Sequence, residues 1–192
     1  MTAQVPDNVL LQGMEWVLVA WDGSGLFNPR GHGLSPEWRS TDCYRGYICT
    51  YAIGEGLLRL RSVFFHDLGV DDLSEIPDLF GTAGHWSNGY VSYSFPSLEA
   101  QVSFRGALLV GSGWDKEEWD CVHPAEAFHR VAELTFGEGS RLSGIFDRTE
   151  AARELDALPR SWAGKDQELL RAWEKERFVG AYLPPPMRTP PG

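Results

Sequence analysis

The chain of 192 residues is long enough to bury a sizeable core as one domain, and 43% of its residues are hydrophobic, which excludes a disordered chain. Lys and Arg number 17 against 27 Asp and Glu, for a formal net charge of −10. This balance disfavours binding to nucleic acid or to anionic membrane surfaces, so a partner selected by charge would be basic.

Apolar runs such as residues 16–21 are far shorter than the roughly 20 residues of a membrane helix. Residues 1–11 contain Asp7 and no Lys or Arg, unlike a secretory signal. The cysteines Cys43, Cys49 and Cys121 are odd in number and widely spaced, which fits reduced thiols. We therefore expect a cytoplasmic protein.

The first predicted element is a buried strand over residues 15–21, which form a nearly continuous apolar run. A loop rich in Gly, Pro and Ser follows over residues 23–36. Loops of more than about 12 residues in a compact domain are often functional or mobile. This loop is therefore a candidate contact surface.

Two hairpins are predicted, because pairs of β-branched and aromatic runs flank the same Gly-Glu-Gly sequence. Glycine supplies the positive φ angles that tight hairpin turns need. The paired runs are residues 45–53 and 57–65 around residues 54–56, and residues 131–136 and 141–146 around residues 137–140.

Between the hairpins, residues 90–95 and 98–105 alternate between apolar and polar side chains, as half-buried strands do. Gly106 is expected to interrupt the second strand. Residues 107–110 could extend it, and residues 111–113 are expected to end it.

After Asp147 the sequence pattern changes from one typical of strands to one typical of helices. Thr149 can cap a helix that runs to residue 158, and a second helix is predicted over residues 166–178. We therefore predict a mainly β (α+β) fold, with an antiparallel sheet and hairpins over residues 1–148. Short C-terminal helices packed on that core would occupy residues 149–180, and a Pro-rich, polyproline-like tail residues 181–192.

Metal-binding and catalytic motifs are weak. Cys121 and His123, with His129 further along, lack the second ligand pair of a zinc site, so no metal or cofactor is expected. No phosphate-binding glycine motif and no G-x-S-x-G sequence is present.

A Cys/His nucleophilic site could combine Cys43 or Cys49 with His66 or His85. The two cysteines share one face of a predicted strand, however, where a small buried residue is the commoner role.

Carboxylates cluster in two segments. The first contains no basic residue, and the second contains one Lys. Such patches would steer a basic partner and pair with its Lys and Arg side chains. The candidate partner-binding residues are Asp67, Asp71, Asp72, Glu75 and Asp78 in the first segment and Asp115, Glu117, Glu118 and Asp120 in the second.

The first predicted hairpin, at residues 40–60, carries the sequence Cys43-Tyr44-Arg45-Gly46-Tyr47 and then Thr50-Tyr51-Ala52-Ile53. It resembles a signature of small bacterial proteins of unassigned activity, some of which are regarded as immunity proteins of polymorphic toxin systems. Arg45 and Gly46 are its most distinctive members, and Tyr44 stands where the signature has Trp. The resemblance implies a β-rich bacterial domain and brings no catalytic residues with it.

Three hypotheses follow. The leading one is a non-catalytic binding protein of the immunity type, which would neutralise a basic toxin domain through its acidic patches. The second is an enzyme of an unrecognised class that uses Cys43, His66, His85 or the Cys121/His123 pair. The third is a regulatory subunit that docks through the Pro-rich tail.

Overall fold

The computed structural model describes residues 5–37, 43–68, 76–87, 92–114, 125–156 and 167–182. Within these ranges, ten strands form one mixed sheet, and two short helices follow it, α1 (Thr149–Asp156) and α2 (Gln167–Arg177). The strands are β1 (Asn8–Leu11), β2 (Met14–Ser24), β3 (Tyr47–Gly54), β4 (Leu57–Phe65), β5 (His85–Ser87), β6 (Ser92–Phe95), β7 (Ala100–Gln101), β8 (Arg105–Trp114), β9 (Phe128–Phe136) and β10 (Leu142–Asp147). The predicted mainly β fold is confirmed.

The strand order is β10-β9-β8-β2-β1-β3-β4-β6-β5, and β7 pairs with β4. The sheet is mixed, because β1 runs parallel to β3, whereas the other pairs of described strands are antiparallel. The predicted antiparallel character is confirmed, and the β1–β3 pair is the parallel exception among the described strands. The short strand β1 lies between β2 and β3, and the tight turn at Gln12 and Gly13 makes it antiparallel to β2.

The sheet curls back on itself. Although β10 and β4 are far apart in the strand order, the Leu142 amide donates to the Gly56 carbonyl at 2.8 Å. The Gln101 side chain donates to the Gly139 carbonyl at 3.2 Å. The turns of the two predicted hairpins thus lie close together.

The curled sheet has an apolar cluster on each face. The inner cluster includes Val9, Trp16, Leu18, Tyr51, Leu60, Phe65, Phe95, Phe104, Leu108 and Leu134. The outer cluster, on the side of the helices, consists of Leu109, Ala125, Phe128, Val131, Ala152 and Phe178. Strands β8 and β9 supply side chains to both clusters, so they are covered on both faces.

Both predicted hairpins form. Glu55 and Gly56 turn β3 into β4 with φ values of 53° and 72°, as a two-residue turn between twisted strands requires. The turn between β9 and β10 contains Gly139 at φ 67° and Ser140 at φ 58°.

The predicted interruption at Gly106 is wrong, and so is the predicted end at residues 111–113, because β8 runs through both. A Cβ on Gly106 would lie 2.0 Å from the Asp22 carbonyl oxygen, and a Cβ on Gly111 would lie 2.3 Å from the Phe128 ring. These glycines permit close packing within the sheet.

Candidate binding site

Of the predicted partner-binding carboxylates, only Asp67 and Asp78 lie within the described residues; Asp71, Asp72, Glu75, Asp115, Glu117, Glu118 and Asp120 lie outside them. Asp78 is exposed. Asp67 is only 6% exposed, and its backbone oxygen accepts a hydrogen bond from the Glu37 amide at 3.0 Å. Asp67 is thus buried just after the end of β4 and does not belong to an exposed acidic patch.

Arg45, the distinctive residue of the hairpin signature, pairs with a buried carboxylate. Its two terminal nitrogens donate to the two carboxylate oxygens of Asp7 at 2.9 and 3.0 Å. The Cys49 amide donates to the same carboxylate at 2.7 Å, and the guanidinium lies over the Tyr47 ring at 5.2 Å. These contacts hold the residues that precede β1 against strand β3, so the role of Arg45 is structural.

Gly46 is explained by backbone geometry. Its φ is 73°, and a Cβ there would lie 2.6 Å from the carbonyl oxygen of Glu37. Both distinctive residues of the signature are thus accounted for by contacts within the chain.

The candidate nucleophiles are core residues. Cys49 is fully buried, and burial raises the pKa of its thiol well above the usual range. Cys43 is also buried, and its Sγ donates to the Tyr47 carbonyl at 3.4 Å. A protonated, buried thiol is a poor nucleophile. Neither cysteine therefore has the properties of an activated nucleophile.

The metal candidates Cys121 and His123 lie outside the described residues, and His129 is exposed on β9. Among the residues that the structure describes, no group of three or more His, Cys, Asp or Glu side chains is arranged to hold a metal ion.

A cavity of about 160 Å³ lies where the β1–β2 turn meets β9, β10 and the start of α1. Gln12 and Gly13, with φ values of 53° and 76°, reverse the chain and place Met14 and Trp16 beside β9. The lining residues are Leu11, Gln12, Met14, Trp16, Arg130, Val131, Ala132, Ile145, Asp147 and Thr149. Most of them are apolar, and they include no Cys, His or Ser.

The cavity has an apolar rim and a buried aromatic wall. Met14 and Ile145 are 44% and 45% exposed and place apolar surface at the rim, whereas Trp16 is buried. The Arg130 guanidinium lies over the Trp16 ring at 5.1 Å, a cation–π contact that holds one positive charge at the site.

Asp147 supplies the negative charge. One of its carboxylate oxygens accepts a hydrogen bond from the Thr149 amide at 2.9 Å. Hydrogen bonds from the backbone and side chain of Thr149 lower the pKa of Asp147, so its carboxylate is ionised at neutral pH. Thr149 does not cap α1 as expected: it is the first residue of the helix, and its hydroxyl accepts from the Val131 amide at 3.1 Å.

The size of the cavity limits what it can bind. Sites for small-molecule ligands usually enclose about 300–1,000 Å³. A cavity of about 160 Å³ is below that range and is closer in size to a single amino-acid side chain. The sequence offered no signal for it, because the lining residues come from segments that are distant along the chain.

No protein-family model, no curated protein and no solved structure matches this chain. In the described part of the chain, neither helix is long and apolar enough to cross a membrane.

Proposed function

We propose that the protein is a non-catalytic binding protein that recognises a basic protein partner, as an immunity protein recognises a toxin domain. The cavity between Met14 and Ile145 carries the proposal, because its size suits a side chain and its rim is apolar and exposed. The net charge of −10 supports a basic partner, since opposite charges accelerate encounter.

In this proposal, the partner inserts one apolar side chain between Met14 and Ile145, against the Trp16 ring. Interfaces concentrate their binding energy in a few such anchors, which occupy pockets from which water is excluded. Aromatic residues and Met are also enriched at the centres of interfaces. The cavity would therefore govern how slowly the complex dissociates.

The acidic segments would have a different effect. Exposed carboxylates act over about a Debye length, roughly 8 Å at physiological salt, so they raise the association rate more than they slow dissociation. The charges at the cavity itself, Arg130 and Asp147, balance one another. Long-range attraction is therefore assigned to Asp78 and to the acidic residues of both segments that lie outside the described ranges.

The test begins with a pulldown from the native host, followed by purification of the captured protein and measurement of binding kinetics across a range of salt. Met14→Ala with Ile145→Ala should raise the dissociation rate about tenfold, because two anchor contacts are truncated. Val179→Ala is the matched control, since Val179 is exposed and does not line the cavity.

Two sets of charge substitutions test the proposed long-range electrostatic attraction of the partner. The triple variant Asp71→Asn, Asp72→Asn, Glu75→Gln, or its counterpart Asp115→Asn, Glu117→Gln, Glu118→Gln, should lower the association rate and its dependence on salt. A captured partner that is acidic would contradict the proposal. So would unchanged kinetics in the cavity variant and both triple variants, and residues 23–36 would then be the better candidate surface.

A further inference from the structure

Glu133, on β9, is a fully buried carboxylate that binds the C-terminal part of the described chain. One of its oxygens accepts from Nε of Arg148 at 2.9 Å and pairs with a terminal nitrogen of the same guanidinium at 2.8 Å. The other oxygen accepts from the Val179 amide at 2.7 Å, the Gly180 amide at 2.8 Å and the Tyr182 hydroxyl at 2.9 Å.

Two further carboxylates complete the arrangement. Asp22, on β2, accepts from the Ala181 amide at 3.0 Å, and the buried Glu174, on α2, accepts from the Tyr182 amide. Four consecutive backbone amides, at residues 179–182, thus donate to carboxylates from three different elements. We call residues 178–182 the C-terminal strap.

The strap is attached to the sheet by side chains. None of the amides at residues 179–182 donates to a strand backbone within the described part of the chain. The strap also covers the outer apolar cluster. Phe178 belongs to that cluster, and its ring meets the rings of Trp173 and Tyr182 at 5.9 and 5.7 Å.

We infer that the C-terminal strap is a conformational device that opens as one unit around Glu133 while the sheet stays folded. Its opening uncovers the outer apolar cluster. The unit is cooperative because one carboxylate of Glu133 holds two of the four amides and the Tyr182 hydroxyl. It is separable because opening breaks no hydrogen bond between strands.

Hydrogen exchange of individual amides tests this inference with two variants that act differently. Glu133→Gln keeps an acceptor in place but removes its charge, and charge-assisted hydrogen bonds are about twice as strong as neutral ones. Gly180→Ala leaves every carboxylate intact, but its Cβ would lie 2.7 Å from the Tyr182 ring and 3.1 Å from the Ala107 Cβ.

Both variants should accelerate exchange at residues 179–182 together, by about tenfold or more, and leave the amides of β9 unchanged. They should also increase binding of a hydrophobic dye, because the outer cluster becomes exposed. Val179→Ala is the control: its side chain is 63% exposed and its amide is retained, so exchange should not change.

The inference is overturned if the four amides exchange at unrelated rates, or only when the amides of β9 also exchange. Faster exchange without added dye binding would refute the covering role. Should Glu133→Gln fail to fold, Gly180→Ala still tests both statements, because it does not alter the buried charges.

Discussion

Asp7 should contribute about 3 kcal/mol to stability through its contacts with the Cys49 amide and with Arg45. Asp7→Ala leaves the buried Cys49 amide without its acceptor, which costs about 1–3 kcal/mol. It also removes the partner of Arg45, but that side chain is 34% exposed, so solvent screening limits this part to about 1 kcal/mol. We expect a total loss of about 3 kcal/mol. Asp7→Asn keeps an acceptor for Cys49 and should lose about half as much.

Urea unfolding, followed by tryptophan fluorescence, measures this loss. For slopes of about 1–3 kcal/mol per molar urea, Asp7→Ala should lower the midpoint by about 1–3 M without changing the slope. The control is Glu99→Gln, which breaks the exposed ion pair with Arg61 and should cost less than about 1 kcal/mol. If Asp7→Ala and Glu99→Gln unfold at the same urea concentration, the structural role assigned to the Asp7 carboxylate is wrong.

Three other predictions concern single positions. Gly46 has a φ of 73°, and a Cβ there would lie 2.6 Å from a backbone oxygen, so Gly46→Ala should lower the free energy of unfolding by about 2 kcal/mol or more. Gly13 has a φ of 76° but open space around it, so Gly13→Ala should lower it by only about 1 kcal/mol. Thermal unfolding measures both losses. Hydrogen bonds from Thr149 lower the pKa of Asp147. The carboxylate therefore contributes stability above the pKa of an unfolded Asp, about 3.9, and this stability is lost as the pH falls through the pKa of the folded state. An NMR titration of Asp147 with a midpoint at or above about 3.9 would contradict this prediction. Burial raises the pKa of the Cys49 thiol, so a thiol reagent at pH 8 should modify it only after denaturant unfolds the protein, and rapid labelling of the native state would show that the site is open.

The elements that the sequence predicted well depend on local chemistry. The hairpins at residues 54–56 and 137–140 combine glycine-rich turns with flanking β-forming residues. The turn and the flanking residues lie within a few positions of one another, so a short stretch of sequence is enough to predict each hairpin. The sequence does not predict strand β1, because its four residues become a strand only by pairing with β2 and β3. The strand state of such a short segment depends on tertiary contacts more than on propensity.

The sites were harder to predict for the same reason. Glu133 lies on the face of its strand opposite Ala132 and Leu134, where a polar residue normally meets water. The strap that covers Glu133 consists of residues 178–182, and the sequence around Glu133 does not predict this contact. The sequence groups Asp67 with acidic neighbours, yet the burial of this residue depends on packing at the end of β4.

The position of β2 also affects how the protein is made. Strand β2 pairs with β8, but residues 25–104 separate the two strands along the chain. At about 5–20 residues per second, a ribosome needs about 4–16 s to synthesise that interval. Throughout it, the β1–β2 hairpin carries Trp16 and Leu18, both buried in the finished sheet, next to an unpaired strand edge that can pair with other nascent chains. The yield of folded protein should therefore fall when codons across residues 25–104 are translated more slowly, and chaperones that shield strand edges should restore it.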